Sequence, residues 1–114
     1  MNNSLSLLKL SSYTICCGFL LFSCKSTPEK AVPVKHTVEI IAMNFQPAEL
    51  VVNSGDTVVW INRDIVAHDV TEEPGKAWAS PVMPSGASWS RVITKSVNYY
   101  CSIHVVMKGK LVVQ

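Results

Sequence analysis

The sequence predicts an all-β sandwich of seven to eight short strands over residues 36–114, and three observations predict it. Segments rich in Val, Ile and Thr recur through this stretch, and their branched side chains fit a pleated, half-buried surface. Clusters of Gly, Pro, Asn and Asp separate them as turns. No segment shows apolar residues at the three- and four-residue spacing of a helix. Short strands punctuated in this way belong to antiparallel sandwiches.

Taken in order, Thr37-Val38-Glu39-Ile40-Ile41-Ala42-Met43 reads as the first strand. Glu49-Leu50-Val51-Val52 and Thr57-Val58-Val59-Trp60-Ile61 flank Asn53-Ser54-Gly55-Asp56, whose residues favour the backbone conformations of a tight turn. Ala67–Thr71, Ser88–Ile93, Val97–Cys101 and Lys108–Val113 complete the set, with Pro74-Gly75 and Pro84-Ser85-Gly86 as breaks. A domain of roughly eighty residues buries only a modest core. Trp60, Phe45, Trp89 and the Val and Ile side chains are its expected members.

Ahead of the domain, residues 1–23 read as an export signal of the lipoprotein type. Met1 to Lys9 is polar with one basic residue, and Leu10 to Phe22 is mostly apolar but too short to span a bilayer comfortably. Leu21-Phe22-Ser23-Cys24 closes this stretch and resembles a bacterial lipobox, in which the cysteine is lipidated and becomes the mature N-terminus. Cys24 is therefore the expected lipidation site. Residues 24–35 carry two prolines, mixed charge and little apolar content. They read as a tether, of which roughly ten residues fully extended reach about 35 Å.

Cysteine usage fits export. Cys16 and Cys17 lie in the signal and Cys24 takes the lipid, so the domain keeps one thiol, Cys101, and no internal disulfide. A lone thiol in an oxidising compartment is a liability unless it is buried or occupied. Discounting Lys9, nine Lys and Arg stand against eight Asp and Glu. That balance offers no basic face for nucleic acid.

One short segment carries the chemistry. Tyr99-Tyr100-Cys101-Ser102-Ile103-His104-Val105-Val106-Met107 sets a thiolate, an imidazole and a thioether at Cys-x-x-His-x-x-Met spacing. These soft and borderline donors suit copper better than any hard cation. A fourth donor has to come from elsewhere, and His68 in Ala67-His68-Asp69-Val70 is the candidate. The segment runs from a strand ending at Cys101 to one starting near Lys108, a loop at one end of the sandwich. His68, at the start of its own strand, can reach the same end. His36 has no partner motif and reads as a solvated surface residue, while Met43 and Met83 read as packing residues.

Three stretches together, Asp56-Thr57-Val58-Val59-Trp60-Ile61-Asn62-Arg63-Asp64, then His68-x-Val70, then Tyr99-x-Cys101-x-x-His104-x-x-Met107-x-Gly109-x-Leu111-x-Val113, make the sequence resemble the small blue-copper proteins, the cupredoxins. The amicyanin and plastocyanin branches are the most similar. The resemblance covers nearly the whole domain and implies a Greek-key sandwich with one type 1 copper. Carried across, it makes His68, Cys101 and His104 the trigonal ligands and Met107 the weak axial one. Asp69 stands where many relatives have Asn, with Ser102 as its candidate partner. Ile103 stands where relatives have Pro, and its N–H could donate to the Cys101 sulfur and raise the reduction potential, against an Asp69 carboxylate that lowers it. Lys95 and Val97 depart from the Gly and Tyr usual at their positions.

The same resemblance implies an electron carrier and not an enzyme, because every coordination position is filled. The expected protein is a monomer that shuttles single electrons between redox partners of the bacterial cell envelope. A cytochrome, dehydrogenase or reductase would dock near His104, at an apolar patch with Val105 and Val106 on its rim. The lipid on Cys24 would hold the domain to a membrane on the periplasmic or cell-surface side. A copper-binding and delivery protein of the envelope is the alternative. It would favour an exchangeable Met cluster, and the whole chain has four Met. An electron-entry module of a larger copper enzyme needs a second metal motif, and a dinuclear copper centre needs two loop cysteines; the sequence has neither.

Overall fold

The computed structural model describes residues 16–114; residues 1–15 of the expected signal lie outside them. The chain divides into two units, with the boundary between Lys30 and Ala31. In the first, described residues 16–30 form neither strand nor helix, and Cys24 is exposed. The second has eight strands: β1 (Lys35–Ile41), β2 (Asn44–Gln46), β3 (Glu49–Val52), β4 (Asp56–Asn62), β5 (Thr71–Glu73), β6 (Ser88–Ile93), β7 (Val97–Tyr100) and β8 (Lys108–Val113). They make two four-stranded sheets, ordered β2-β1-β4-β6 and β3-β8-β7-β5. Side chains from both meet in one core, among them Val38, Trp60, Tyr99 and Leu111.

The sandwich is mixed and not antiparallel throughout, because β1 pairs with β4, and β3 with β8, in parallel. After the β1–β2 hairpin the chain crosses to the other sheet for β3 before returning as β4. It therefore re-enters beside β1 running the same way. The hairpin turn is tight, with Ala42 and Met43 at left-handed φ of 49° and 62°. That turn ends the first strand at Ile41, short of the expected Met43, and creates β2, whose three residues carry no strand signature of their own. The strand expected over Ala67–Thr71 begins only at Thr71. Its earlier residues are drawn away into an isolated bridge, in which His68 exchanges main-chain bonds of 3.1 and 2.8 Å with Met83.

Strand β4 shows how sequence alternation builds this domain. Asp56, Val58, Trp60 and Asn62 face inward and are buried, two apolar residues between two polar ones. Val58 and Trp60 enter the core, where Trp60 packs on Tyr99 and Trp89 at ring separations of 5.4 and 5.5 Å. The polar ends hold other segments in place. Asp56 accepts the N–H groups of Val34 at 2.8 Å and Asn53 at 2.9 Å, and faces His36 Nε2 at 2.8 Å. His36 is thus a half-buried partner inside β1 and not a freely solvated residue, since the β1–β4 register sets it beside the buried carboxylate. The two N–H bonds and the imidazole, Val34 first, lower the Asp56 carboxyl to about 2.

Candidate metal centre

The end of the sandwich where β4 and β7 finish and β8 begins gathers the predicted donors. Cys101 directly follows β7 and is fully buried. The loop after it is closed by main-chain bonds, Met107 N–H to His104 O at 2.9 Å and Cys101 N–H to Met107 O at 3.2 Å. The short Cys-x-x-His-x-x-Met spacing is what allows both closures within one turn. Met107 is buried beside Cys101 in the core, while His104 is half-buried.

His68 comes from the loop after β4 and is fully buried. Its Nδ1 lies 3.8 Å from the Cys101 sulfur and 3.2 Å from His104 Nδ1, which is itself 3.8 Å from the sulfur. Three lone-pair atoms converge, then, with no other donor between them. An atom equidistant from all three would lie roughly 2.1 Å from each, the length of a transition-metal bond to nitrogen. His68, Cys101 and His104 form a metal-competent cluster. A thiolate with two imidazoles in a triangle is the donor set of copper electron-transfer sites.

The neighbours of this cluster are fixed by hydrogen bonds. Asp69 N–H donates to the Cys101 sulfur at 3.4 Å. The Asp69 carboxylate takes Ser102 N–H at 2.6 Å on one oxygen and the Ser102 hydroxyl on the other, with Thr71 Oγ1 at 3.4 Å. The two donor-bearing segments are thereby tied together by Asp69 at both its ends. The main-chain donor on the sulfur is Asp69, and no bond from Ile103 N–H reaches it among the described residues. Ile103 instead lies half-exposed on the loop surface.

Two residues that sequence reasoning did not single out hold the His68 loop. Asn62 is fully buried; its Nδ2 donates to Val66 O at 2.8 Å and Met83 O at 2.9 Å, and its Oδ1 accepts Asp64 N–H at 2.9 Å. Asp64 in turn faces His68 Nε2 at 3.0 Å. Bonds from Met43 N–H first and then His68 hold the Asp64 carboxyl below the usual carboxylate range. A carboxylate four residues before a candidate ligand histidine was the available signal. Outward from the same loops point Ile65, Val66, Ile103, Val105 and Val106, with Ile65 and Val106 91% and 83% exposed. A cavity of about 510 Å³ beside Trp78 and Arg91 is lined by none of the four donors.

Residues 32–114 match the family described as copper binding proteins of the plastocyanin/azurin type. Amicyanin of Paracoccus denitrificans is 36% identical over 83 residues, 68% of this chain and 63% of that protein. Amicyanin-alpha of Methylorubrum extorquens is 31% identical over 83 residues, 68% of this chain and 70% of its own. The chain spans less than two thirds of the length of the two Paracoccus amicyanins it matches. Among solved structures, a Cu(I) form of an amicyanin mutant superposes with a TM-score of 0.66 at 35% identity, covering 75% of this chain and 87% of that one. Copper is the cofactor this donor triangle fits, and the chain belongs to the plastocyanin/azurin family of copper-binding proteins.

Proposed function

We propose that this chain is a blue-copper electron carrier, with His68, Cys101 and His104 as the strong ligands and Met107 as the weak axial one. The observation that carries the reading is the convergence of one buried thiol and two imidazole Nδ1 atoms at 3.8, 3.8 and 3.2 Å. Copper bound there supplies a one-electron couple: thiolate and thioether favour Cu(I), while imidazole serves both oxidation states. The protein's part is to keep the donors still. Cys101, His68 and Met107 are buried, Ser102 is locked to Asp69, and the loop is closed on itself. Donors that move little between oxidation states permit fast electron exchange. A delivery protein would want exposed, exchangeable donors, and this burial disfavours it.

His104 is the half-buried member, and exposed Ile103, Val105 and Val106 surround it in sequence. Redox proteins of the bacterial envelope, a cytochrome, dehydrogenase or reductase, are the partners we assign to that apolar face. Near-neutral charge favours docking through apolar contact over strong steering. The exposed Cys24, after Leu21-Phe22-Ser23, is the lipid attachment point in this reading, and the chain works as a monomer on the periplasmic or cell-surface side. The deciding experiment is an absorption spectrum and redox titration of copper-loaded protein. An intense visible thiolate-to-Cu(II) band that bleaches reversibly on one-electron reduction is expected. A colourless Cu(II) form would defeat the proposal.

A further inference from the structure

We propose that Asp64 is a positioning residue for the copper site, its carboxylate fixing the ring and tautomer of His68 so that Nδ1 presents a lone pair to the metal. The inference rests on the reading of His68 as a ligand. His68 is fully buried, with Nε2 3.0 Å from Asp64 Oδ2 and Nδ1 on the side of the Cys101 sulfur. A carboxylate only accepts hydrogen bonds. Nε2 must therefore carry a proton, and in the neutral imidazole Nδ1 is then unprotonated, the state a metal needs.

Asp64 is itself held by several bonds. Met43 N–H donates to Oδ2 and Ile65 N–H to Oδ1, each at 3.0 Å, and Asp64 N–H is bound by buried Asn62. The Met43 bond comes from the hairpin turn, where a left-handed φ of 62° accompanies it. A turn that carries no ligand thus supports one. The two imidazoles are consequently unequal. His68 Nε2 is held by Asp64, whereas His104 Nε2 has no hydrogen-bond partner among the described residues. An imidazole bonded to a carboxylate is a stronger donor. Asp64 accordingly favours Cu(II) and lowers the reduction potential.

The test uses the full chain as wild type, Asp64→Ala, Asp64→Glu and His68→Ala. Nitrogen NMR of the metal-free wild type is expected to place the His68 proton on Nε2. Asp64→Ala is expected to lose that preference, bind Cu(II) about 10- to 100-fold more weakly and show a raised potential. Asp64→Glu should recover part of each change. A folded Asp64→Ala with unaltered tautomer, affinity and potential overturns the inference. Should Asp64→Ala fail to fold, the wild-type spectrum decides alone, and a proton on Nδ1 overturns it. His68→Ala separates the two readings: a surviving charge-transfer band there defeats His68 as a ligand. Loss of the band beside an unmoved Asp64→Ala defeats only the role of Asp64.

Discussion

The Asp69 main-chain N–H lies 3.4 Å from the Cys101 sulfur, and the Asp69 carboxylate binds both the N–H and the hydroxyl of Ser102, the residue after that cysteine. One residue therefore bonds the sulfur and clamps the chain on its far side. The two ends of Asp69 would act oppositely on a copper ion bound there. A hydrogen bond to thiolate sulfur favours the reduced form, and a carboxylate beside the site favours the oxidised one.

Replacing the side chain alone separates these effects. Asp69→Asn keeps the main-chain N–H on the sulfur, and its carbonyl oxygen can still accept from Ser102. The charge-transfer band should stay while the potential rises. A net interaction of about 1 kcal/mol, modest for a nearly buried charge at an effective dielectric near 20, corresponds to about 40 mV in a one-electron couple. Redox titration of the variant against wild type measures it. A lowered potential would show that the carboxylate does not act through its charge.

Gly109 makes a sharper steric prediction. Tyr99 is fully buried, and a Cβ at Gly109 would lie 2.2 Å from Tyr99 Cζ, far inside van der Waals contact. Tyr99 also packs edge-on to Phe45 and Trp60, so the ring has no empty direction to retreat into. Gly109→Ala is expected to cost about 1–3 kcal/mol, the usual penalty of overpacking. Urea unfolding of the metal-free protein reports this directly, and an unchanged midpoint refutes it.

Acid sensitivity should trace to Asp56. Its carboxyl lies at about 2, below the ordinary 3.8, chiefly because Val34 N–H and His36 bind the charged form. A group lowered on folding adds stability that is complete above its unfolded value and is lost as pH falls toward its folded one. The loss therefore falls between about 4 and about 2. Asp56→Asn should be less stable at pH 5 yet flatter across that window. Denaturant midpoints at several pH values distinguish it, and an equal acid slope in both proteins rules Asp56 out as the source.

What was legible in the sequence follows from where the determining contacts lie. Cys101, His104 and Met107 sit on one loop, so their spacing states the chemistry locally, and His68 reaches Cys101 and His104 from the loop after β4, not from the strand expected there. Runs of β-branched residues likewise mark β3, β4, β6 and β8. The parallel pairings were hidden because they depend on the order in which the chain crosses between sheets. Asp64 and Asn62 were hidden for a related reason: an acid or amide after a strand is ordinary, and only the folded loop reveals what each faces. Ile103 is the converse. Its N–H stands near the sulfur in sequence, but the fold directs Asp69 there instead.

Asn62 gives the clearest measure of how far the site depends on its loop. Its side chain is fully buried and serves Val66 O, Met83 O and Asp64 N–H. Asn62→Ala removes all three partners. Water can reach Val66 and Asp64, which lie on the outer loop, whereas buried Met83 O keeps only the His68 N–H. A buried hydrogen bond contributes about 0.5–1.5 kcal/mol, and in a domain of this size a loss of about 1 kcal/mol lowers Tm by roughly 4–8 °C. Asn62→Asp should do at least as much harm, because it keeps the acceptor for Asp64 N–H but turns the donor into an oxygen facing two carbonyls. Thermal unfolding of the metal-free variants ranks them. An aspartate variant as stable as wild type would mean that the two carbonyl bonds contribute nothing to holding the His68 loop.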